Sequence, residues 1–135
     1  MNIKIAICDD EKEFAGTLLN NISHEFKKYE AACEICTCSN GYDLIDICKN
    51  QSIDAVFLDI AMPEINGFSV AKRLSEIRKD IILVFVSSNE QLVFQSYEYR
   101  PFWFIPKNQL ELLEIVAGKI IDKIKARELE NRIIL

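Results

Sequence analysis

Stretches with different patterns of apolar and polar residues alternate along this chain, and they predict alternating strands and helices. Two apolar runs are continuous, one leading into Asp59 and the other covering Ile81 to Val86. Such short runs are typical of strands buried on both faces of a parallel sheet. Prolines at both ends of a later run, Pro101 and Pro106, indicate an edge strand. The predicted strands cover residues 3–8, 32–38, 54–59, 81–86 and the segment between the two prolines.

Between these strands, apolar residues recur at the spacing of amphipathic helices. Strand and helix therefore alternate five times, which predicts a parallel sheet wrapped by helices on both faces. The predicted helices cover residues 12–29, a short stretch ending near 49, 67–79, 90–98, and a stretch from about 109 into the 120s or 130s.

Composition narrows the class of protein. The chain has 135 residues, half of them hydrophobic, which suits one α/β domain with a sizeable core. A net charge of -5 argues against nucleic-acid binding by this domain alone. No apolar stretch approaches the ~20 residues of a membrane helix, so we expect a cytoplasmic protein without membrane contact. The five cysteines should then be reduced thiols that pack in the core rather than bind a metal.

Polar residues stand at the predicted carboxyl ends of the strands. Because parallel strands end at one edge of a sheet, these side chains should lie together. Three carboxylates would repel one another unless a cation is present, and Mg²⁺ prefers such oxygen ligands. A hydroxyl and an ammonium complete a site for a phosphoryl group, which Asp59 would attack. The residues concerned are Asp9, Asp10, Asp59, Ser87 and Lys107.

These residues and their neighbours carry a family resemblance. The motifs are Asp9-Asp10, Phe57-Leu58-Asp59, Met62-Pro63, Asn66-Gly67, Ser87 and Lys107. From residue 2 to about 122, the chain resembles the receiver domain of bacterial two-component response regulators. The segment from Phe94 to Ile105 is similar to receivers attached to LytTR-type DNA-binding domains. The resemblance implies the flavodoxin-like receiver fold, a five-stranded sheet in the order 2-1-3-4-5.

The resemblance also implies an activity and its residues. Asp59 would accept a phosphoryl group from a sensor histidine kinase, with autodephosphorylation but no turnover of a separate substrate. Mg²⁺, or Mn²⁺, would be bound by Asp10, Asp59 and the backbone carbonyl of Ala61, with Asp9 acting largely through water. Lys107 and Ser87 would contact the phosphoryl group. Ser87 and Phe104 would act as the switch residues.

One departure from the family pattern concerns the lysine. Proline usually follows it, whereas here Asn108 follows Lys107 and Pro106 precedes it. The direction in which Lys107 points is therefore left open.

Three other functions compete with phosphorylation. A degenerate receiver would only mediate protein contacts. A flavodoxin-like nucleotide or flavin binder needs a phosphate-cradling loop after the first strand, where Asp9, Asp10 and Glu11 stand instead. A haloacid-type hydrolase would need a second aspartate in the place of Ala61.

The domain prediction divides the chain into a receiver at 1–122 and an extension of the last helix at 123–135. The extension would be either a linker to an absent output domain or a dimer contact. DNA would be bound only through that output domain. The alternative is that the extension folds back on the body or frays. Homodimerisation would use helix 4, strand 5 and helix 5, or this C-terminal helix.

Overall fold

A parallel five-stranded sheet in the order β2-β1-β3-β4-β5 forms the centre of the molecule. The computed structural model describes residues 1–134, with side chains through Arg132. The predicted fold class and strand order are confirmed. The strands are β1 (Asn2–Cys8), β2 (Ala32–Cys38), β3 (Ala55–Asp59), β4 (Ile82–Ser87) and β5 (Trp103–Pro106).

Helices cover both faces of the sheet and divide the core into two clusters. α1 and α5 cover one face, and α2 and α3 cover the other. Asparagine side chains begin two of the helices, because Asn40 accepts the N–H of Asp43 and Asn66 accepts that of Ser69. The helices are α1 (Lys12–Lys27), α2 (Gly41–Asn50), α3 (Gly67–Ile77), α4 (Val93–Ser96) and α5 (Leu113–Ile134).

The segment between β4 and β5 differs from the regular helix predicted at 90–98. It contains one turn of α-helix, α4, between 3₁₀ turns at Glu90–Leu92 and Tyr97–Tyr99. The Ser96 hydroxyl donates to the carbonyl of Val93 at 2.6 Å, a local bond that competes with regular helix propagation. Arg100 then takes a left-handed backbone conformation and ends the segment. The short α4 leaves part of the sheet beneath it less covered.

α5 continues beyond the body of the domain. Its buried residues end at Ile124, and Leu129 is exposed. The apolar side chains that the sequence places at the end of the helix, from Ile133 to Leu135, lie outside those the structure describes. Whether this extension is a linker or a dimer contact stays a prediction. Among residues 1–134, no helix is both long and apolar enough to cross a membrane.

Candidate functional site: an acidic edge with one lysine

The carboxyl ends of β1, β3, β4 and β5 bring the predicted polar residues to one edge of the sheet. Asp59 ends β3 opposite Val86 of β4, and Asp9 follows β1 directly. The backbone N–H of Lys107 donates to the carbonyl of Ser87 at 2.9 Å, so the β4–β5 ladder runs one step past β5. This pairing fixes where the Lys107 side chain begins.

Three carboxylates form the acidic part of the site. One oxygen from each of Asp9, Asp10 and Asp59 lies within 4.8 Å of the other two. Asp9 and Asp59 are buried, with 2% and 4% of their surface exposed, whereas Asp10 is exposed. The sequence-based grouping of these acids agrees with the geometry, while their individual roles stay predictions.

Lys107 points into the acidic cluster despite its unusual proline context. Its Nζ lies 2.9 Å from Oδ2 of Asp9 and 3.5 Å from Oδ2 of Asp59. Two further contacts were missed by sequence reasoning, namely Glu11 Oε1 at 3.4 Å and the ring of Phe14, whose centroid is 4.5 Å from Nζ. Glu11 was visible as the third acid after β1, but Phe14 could be read only as a core position of α1.

Burial and charge shift the proton affinities of these groups. Burial and the neighbouring Asp9 carboxylate raise the pKa of Asp59 to about 6, although Lys107 partly offsets them. Burial alone would lower the pKa of Lys107, but Asp9, Asp59 and Glu11 outweigh it and leave that pKa raised. The lysine is therefore charged at neutral pH. Keeping Asp59 ionised at that pH has a cost in folding free energy.

This cost leads to a prediction for Asp59→Asn in metal-free protein. Because the folded-state pKa lies above the unfolded one, ionised Asp59 destabilises the fold above about pH 6. We expect the substitution to raise the free energy of unfolding by about 1–3 kcal/mol near pH 7.5. The gain should shrink as the pH falls through 6 and vanish below about 4, where wild-type Asp59 is protonated in both states.

Urea titrations in EDTA across this pH range measure the difference. Asp122→Asn, on the exposed face of α5, is the matched control and should show no such trend. A gain from Asp59→Asn that stays constant from slightly alkaline to acid pH would contradict the explanation.

The acidic cluster fits a hard divalent cation. Its donors are carboxylate oxygens, the ligands that Mg²⁺ prefers. Asp9 Oδ2 is buried and, among the described residues, accepts no hydrogen bond of regular geometry, so its contact with Lys107 is an ion pair rather than a directed bond. A buried carboxylate oxygen without a directed donor is suited to a cation.

The remaining predicted site residues occupy the surroundings of this cluster. Ser87 is fully buried, and its Oγ accepts the N–H of Asn89 at 3.1 Å. Ala61 lies exposed in the loop after β3, and the ligand role of its carbonyl stays a prediction. Phe104 is half-buried on β5 beside Phe85 of β4. Its role as a switch also stays a prediction.

The loop after Asp59 is held closely against the end of β3. The N–H of Gly67 donates to the carbonyl of Ile60 at 2.8 Å. A Cβ on Gly67 would lie 2.3 Å from the carbonyl oxygen of Asp59, so this position accepts only hydrogen. The Met62-Pro63 and Asn66-Gly67 motifs thus bracket a loop that packs directly on the backbone of the predicted phosphoryl acceptor.

An aromatic stack next to this loop was not predicted from the sequence. The ring of Phe68 stacks on Tyr99 with centroids 4.8 Å apart and meets Phe85 edge-on at 5.4 Å. Tyr99 directly follows the helix predicted at 90–98, and its partner lies 31 positions earlier in the chain. No spacing rule connects residues so far apart.

The family of this chain follows from its similarity to known protein families. The family model described as "Response regulator receiver domain" matches residues 5–117. The chain belongs to the response regulator receiver domain family. The family predicted from the sequence motifs is therefore confirmed, and with it a place in two-component signalling.

Relatives of this receiver domain include known regulators. It is 33% identical over 103 residues to the sensory transduction protein LytT of Oceanobacillus iheyensis, covering 73% of this chain and 39% of LytT. It is 25% identical over 105 residues to the transcriptional regulatory protein YpdB of Escherichia coli, covering 78% of this chain and 41% of YpdB. The match to LytT agrees with the predicted LytTR-type subgroup. The chain thus spans about two fifths of the length of these relatives.

Solved structures share the fold of this receiver domain. The response regulatory domain of protein mrkE from Klebsiella pneumoniae superposes with a TM-score of 0.81 at 22% identity, covering 92% of this chain and 99% of that one. The response regulator TrrA from Thermotoga maritima, solved in complex with Mg²⁺ and BeF, gives 0.69 at 20% identity and covers 87% and 98%. At these identities the likeness concerns the fold alone.

Proposed function

We propose that this receiver domain accepts a phosphoryl group onto Asp59 from a sensor histidine kinase, in the cytoplasm, and changes a protein-contact surface in response. The observation that carries the proposal is the position of Asp59. It is a buried carboxylate at a strand end, within 4.8 Å of two further carboxylates and 3.5 Å from the Lys107 ammonium. A buried carboxylate next to cationic groups is suited to act as a nucleophile.

Each residue has a definite part in the proposed transfer. An Asp59 oxygen attacks the phosphorus, the new O–P bond forms as the P–N bond of a phosphohistidine breaks, and the imidazole leaves with the electron pair. The Lys107 ammonium, freed from Asp59 as that carboxylate becomes phosphorylated, pairs with a phosphoryl oxygen. The Ser87 hydroxyl donates to another. The product is an aspartyl phosphate on the protein itself, so the domain is a signalling module rather than a turnover enzyme.

A divalent cation belongs to this proposal. Asp9, Asp10, Asp59 and the carbonyl of Ala61 would hold Mg²⁺ or Mn²⁺, which would supply charge neutralisation to the incoming phosphoryl group. The fit of the acidic cluster supports this assignment, and so does the Mg²⁺ in the similarly folded TrrA.

The proposed switch starts from Ser87 and Phe104. A Ser87 hydroxyl drawn to a phosphoryl group would give up its bond from Asn89, which begins the 3₁₀ turn before α4. Phe104 lies next to Phe85, and the stack of Phe68 on Tyr99 extends this aromatic contact toward α3. The surface that changes would comprise α4, β5 and α5. A homodimer would form through this surface or through the C-terminal part of α5. DNA would be reached only through an output domain.

Incubation with Mg²⁺ and acetyl phosphate tests the phosphorylation. We expect mass spectrometry of the intact protein to show a single added phosphoryl group, and no addition in Asp59→Asn or when EDTA is present. Asp122→Asn, an exposed acid of α5, is the matched control and should be modified like the wild type.

The competing proposal is a degenerate receiver that binds partners without phosphorylation. Its support is that the Lys107 ammonium already neutralises part of the acidic cluster without a metal. An unmodified wild-type protein under these conditions, with Mg²⁺ binding absent from a calorimetric titration, would favour this alternative.

A further inference from the structure

A groove of about 610 Å³ lies beside α3, away from the acidic site. Its apolar floor includes Ile81 and Leu83, at the amino end of β4, whereas Ser87 of the acidic site stands at the other end of that strand. Its walls are the C-terminal half of α3 and the Glu98–Arg100 segment. None of these residues belongs to the site proposed for phosphorylation.

The groove lies at the amino end of β4, on the α3 side of the sheet. Both Ile81 and Leu83 remain partly exposed there. Tyr99 cannot move over them without losing its stack on Phe68. An apolar strip at the protein surface is a candidate contact site.

The rim of the groove is basic, although the protein as a whole has a net charge of -5. Lys72, Lys79 and Arg100 are exposed there, and none of them has an ion-pair partner in the described part of the chain. A fourth cation, Arg78, is already bound to Asp80 and to the carbonyl of Ile53. Glu98 is the acid among the lining residues. The rim therefore offers three free cations around an apolar floor.

Arg100 occupies its place at a conformational cost. Its φ of 49° and ψ of 53° lie in the left-handed region, which disfavours residues with a Cβ. Pro101 follows, and a residue before proline is restricted further. Glycine would form this turn more easily, so the turn alone does not account for an arginine among the residues that line the groove.

We propose that this groove binds an acidic, amphipathic peptide segment of a partner protein. Leucine-like side chains of the segment would cover Ile81 and Leu83, while its carboxylates would pair with Lys72, Lys79 and Arg100. A small inorganic anion would use the rim and leave the floor open. A nucleic acid would likewise pair its phosphates with the rim and leave the apolar floor open.

Fluorescence anisotropy with a labelled peptide tests the proposal on the whole chain, in EDTA and without a phosphodonor. The probe is a dodecapeptide with leucine at helical spacing and glutamate elsewhere. We expect saturable binding that weakens with salt, and no binding of the same peptide with lysine in place of glutamate. The measurement is independent of Asp59 phosphorylation, so each of the two proposals can fail without the other.

Two groove variants and one control variant locate the binding. Lys72→Glu/Lys79→Glu should weaken it about tenfold, whereas Lys27→Glu/Lys49→Glu, with the same change in net charge, should change it less than about twofold. Arg100→Gly should weaken binding about threefold while leaving the protein at least as stable in urea as the wild type. A merely structural role for Arg100 predicts the increase in stability without the loss of binding.

Several results would overturn the proposal. One is the absence of binding at millimolar peptide. Another is an equal loss of affinity in the groove and control double variants. A third is stoichiometric displacement of the peptide by an oligothymidylate or by inorganic phosphate. In the supporting outcome, peptide-induced changes in backbone amide chemical shifts centre on α3 and the start of β4.

Discussion

Gly67→Ala is expected to lower the free energy of unfolding by about 2–4 kcal/mol, a large effect for a single methyl group. The added Cβ would lie 2.3 Å from the carbonyl oxygen of Asp59 and 2.7 Å from the Cα of Ile60. Both are backbone atoms, so the clash cannot be relieved by turning a flexible side chain. Either the loop after β3 moves outward or the end of β3 shifts, and each movement displaces Asp59. Urea denaturation followed by circular dichroism measures the loss.

Gly16→Ala is the matched control for this substitution. Gly16 lies within α1, where an added Cβ would meet no atom within 4 Å. Because alanine favours helix over glycine, we expect this change to stabilise the protein by about 0.5–1 kcal/mol. The two substitutions add the same methyl group with opposite expected signs. Similar stabilities for the two variants would contradict the argument from the contact with Asp59.

Lys107→Met should be comparably destabilising in metal-free protein. Only 11% of the Lys107 side chain is exposed, and the charges it faces belong to the buried residues Asp9 and Asp59. Removing one partner of a buried ion pair leaves the remaining charge uncompensated. We expect a loss of about 2–4 kcal/mol near pH 7.5 in EDTA, since methionine keeps the packing but not the charge. Urea titration measures it.

Two conditions should reduce this loss. Millimolar Mg²⁺ should stabilise Lys107→Met more than the wild type, because the cation would replace the missing ammonium. Acidification should also help, because protonation of Asp59 removes one of the two negative charges. Lys49→Met, on the exposed surface of α2, should change stability by less than about 0.5 kcal/mol under all conditions. Loss of stability that neither Mg²⁺ nor acid reduces would indicate that Lys107 acts through packing alone.

The order of strands and helices could be predicted from the sequence, and so could the residues at the acidic edge of the sheet. Continuous apolar runs in β3 and β4 predicted buried parallel strands, since only such strands lack a polar face. Parallel strands end at one edge, so Asp9, Asp59 and Lys107 could be placed together before any distance was known. These conclusions depend on local sequence patterns and on the rule that parallel strands end at the same edge of a sheet. Both can be applied to one sequence without knowledge of its contacts.

The tertiary structure alone decided the features that depend on contacts between distant residues. It showed that Lys107 turns into the acidic cluster, where Glu11 and Phe14 complete its surroundings. It also reduced the predicted fourth helix to one turn and showed a groove beside α3. The direction of a long side chain and the length of a marginal helix are set by small energy differences among packed neighbours. Such differences are not encoded in the spacing of apolar residues, because they arise only when the neighbours are in place.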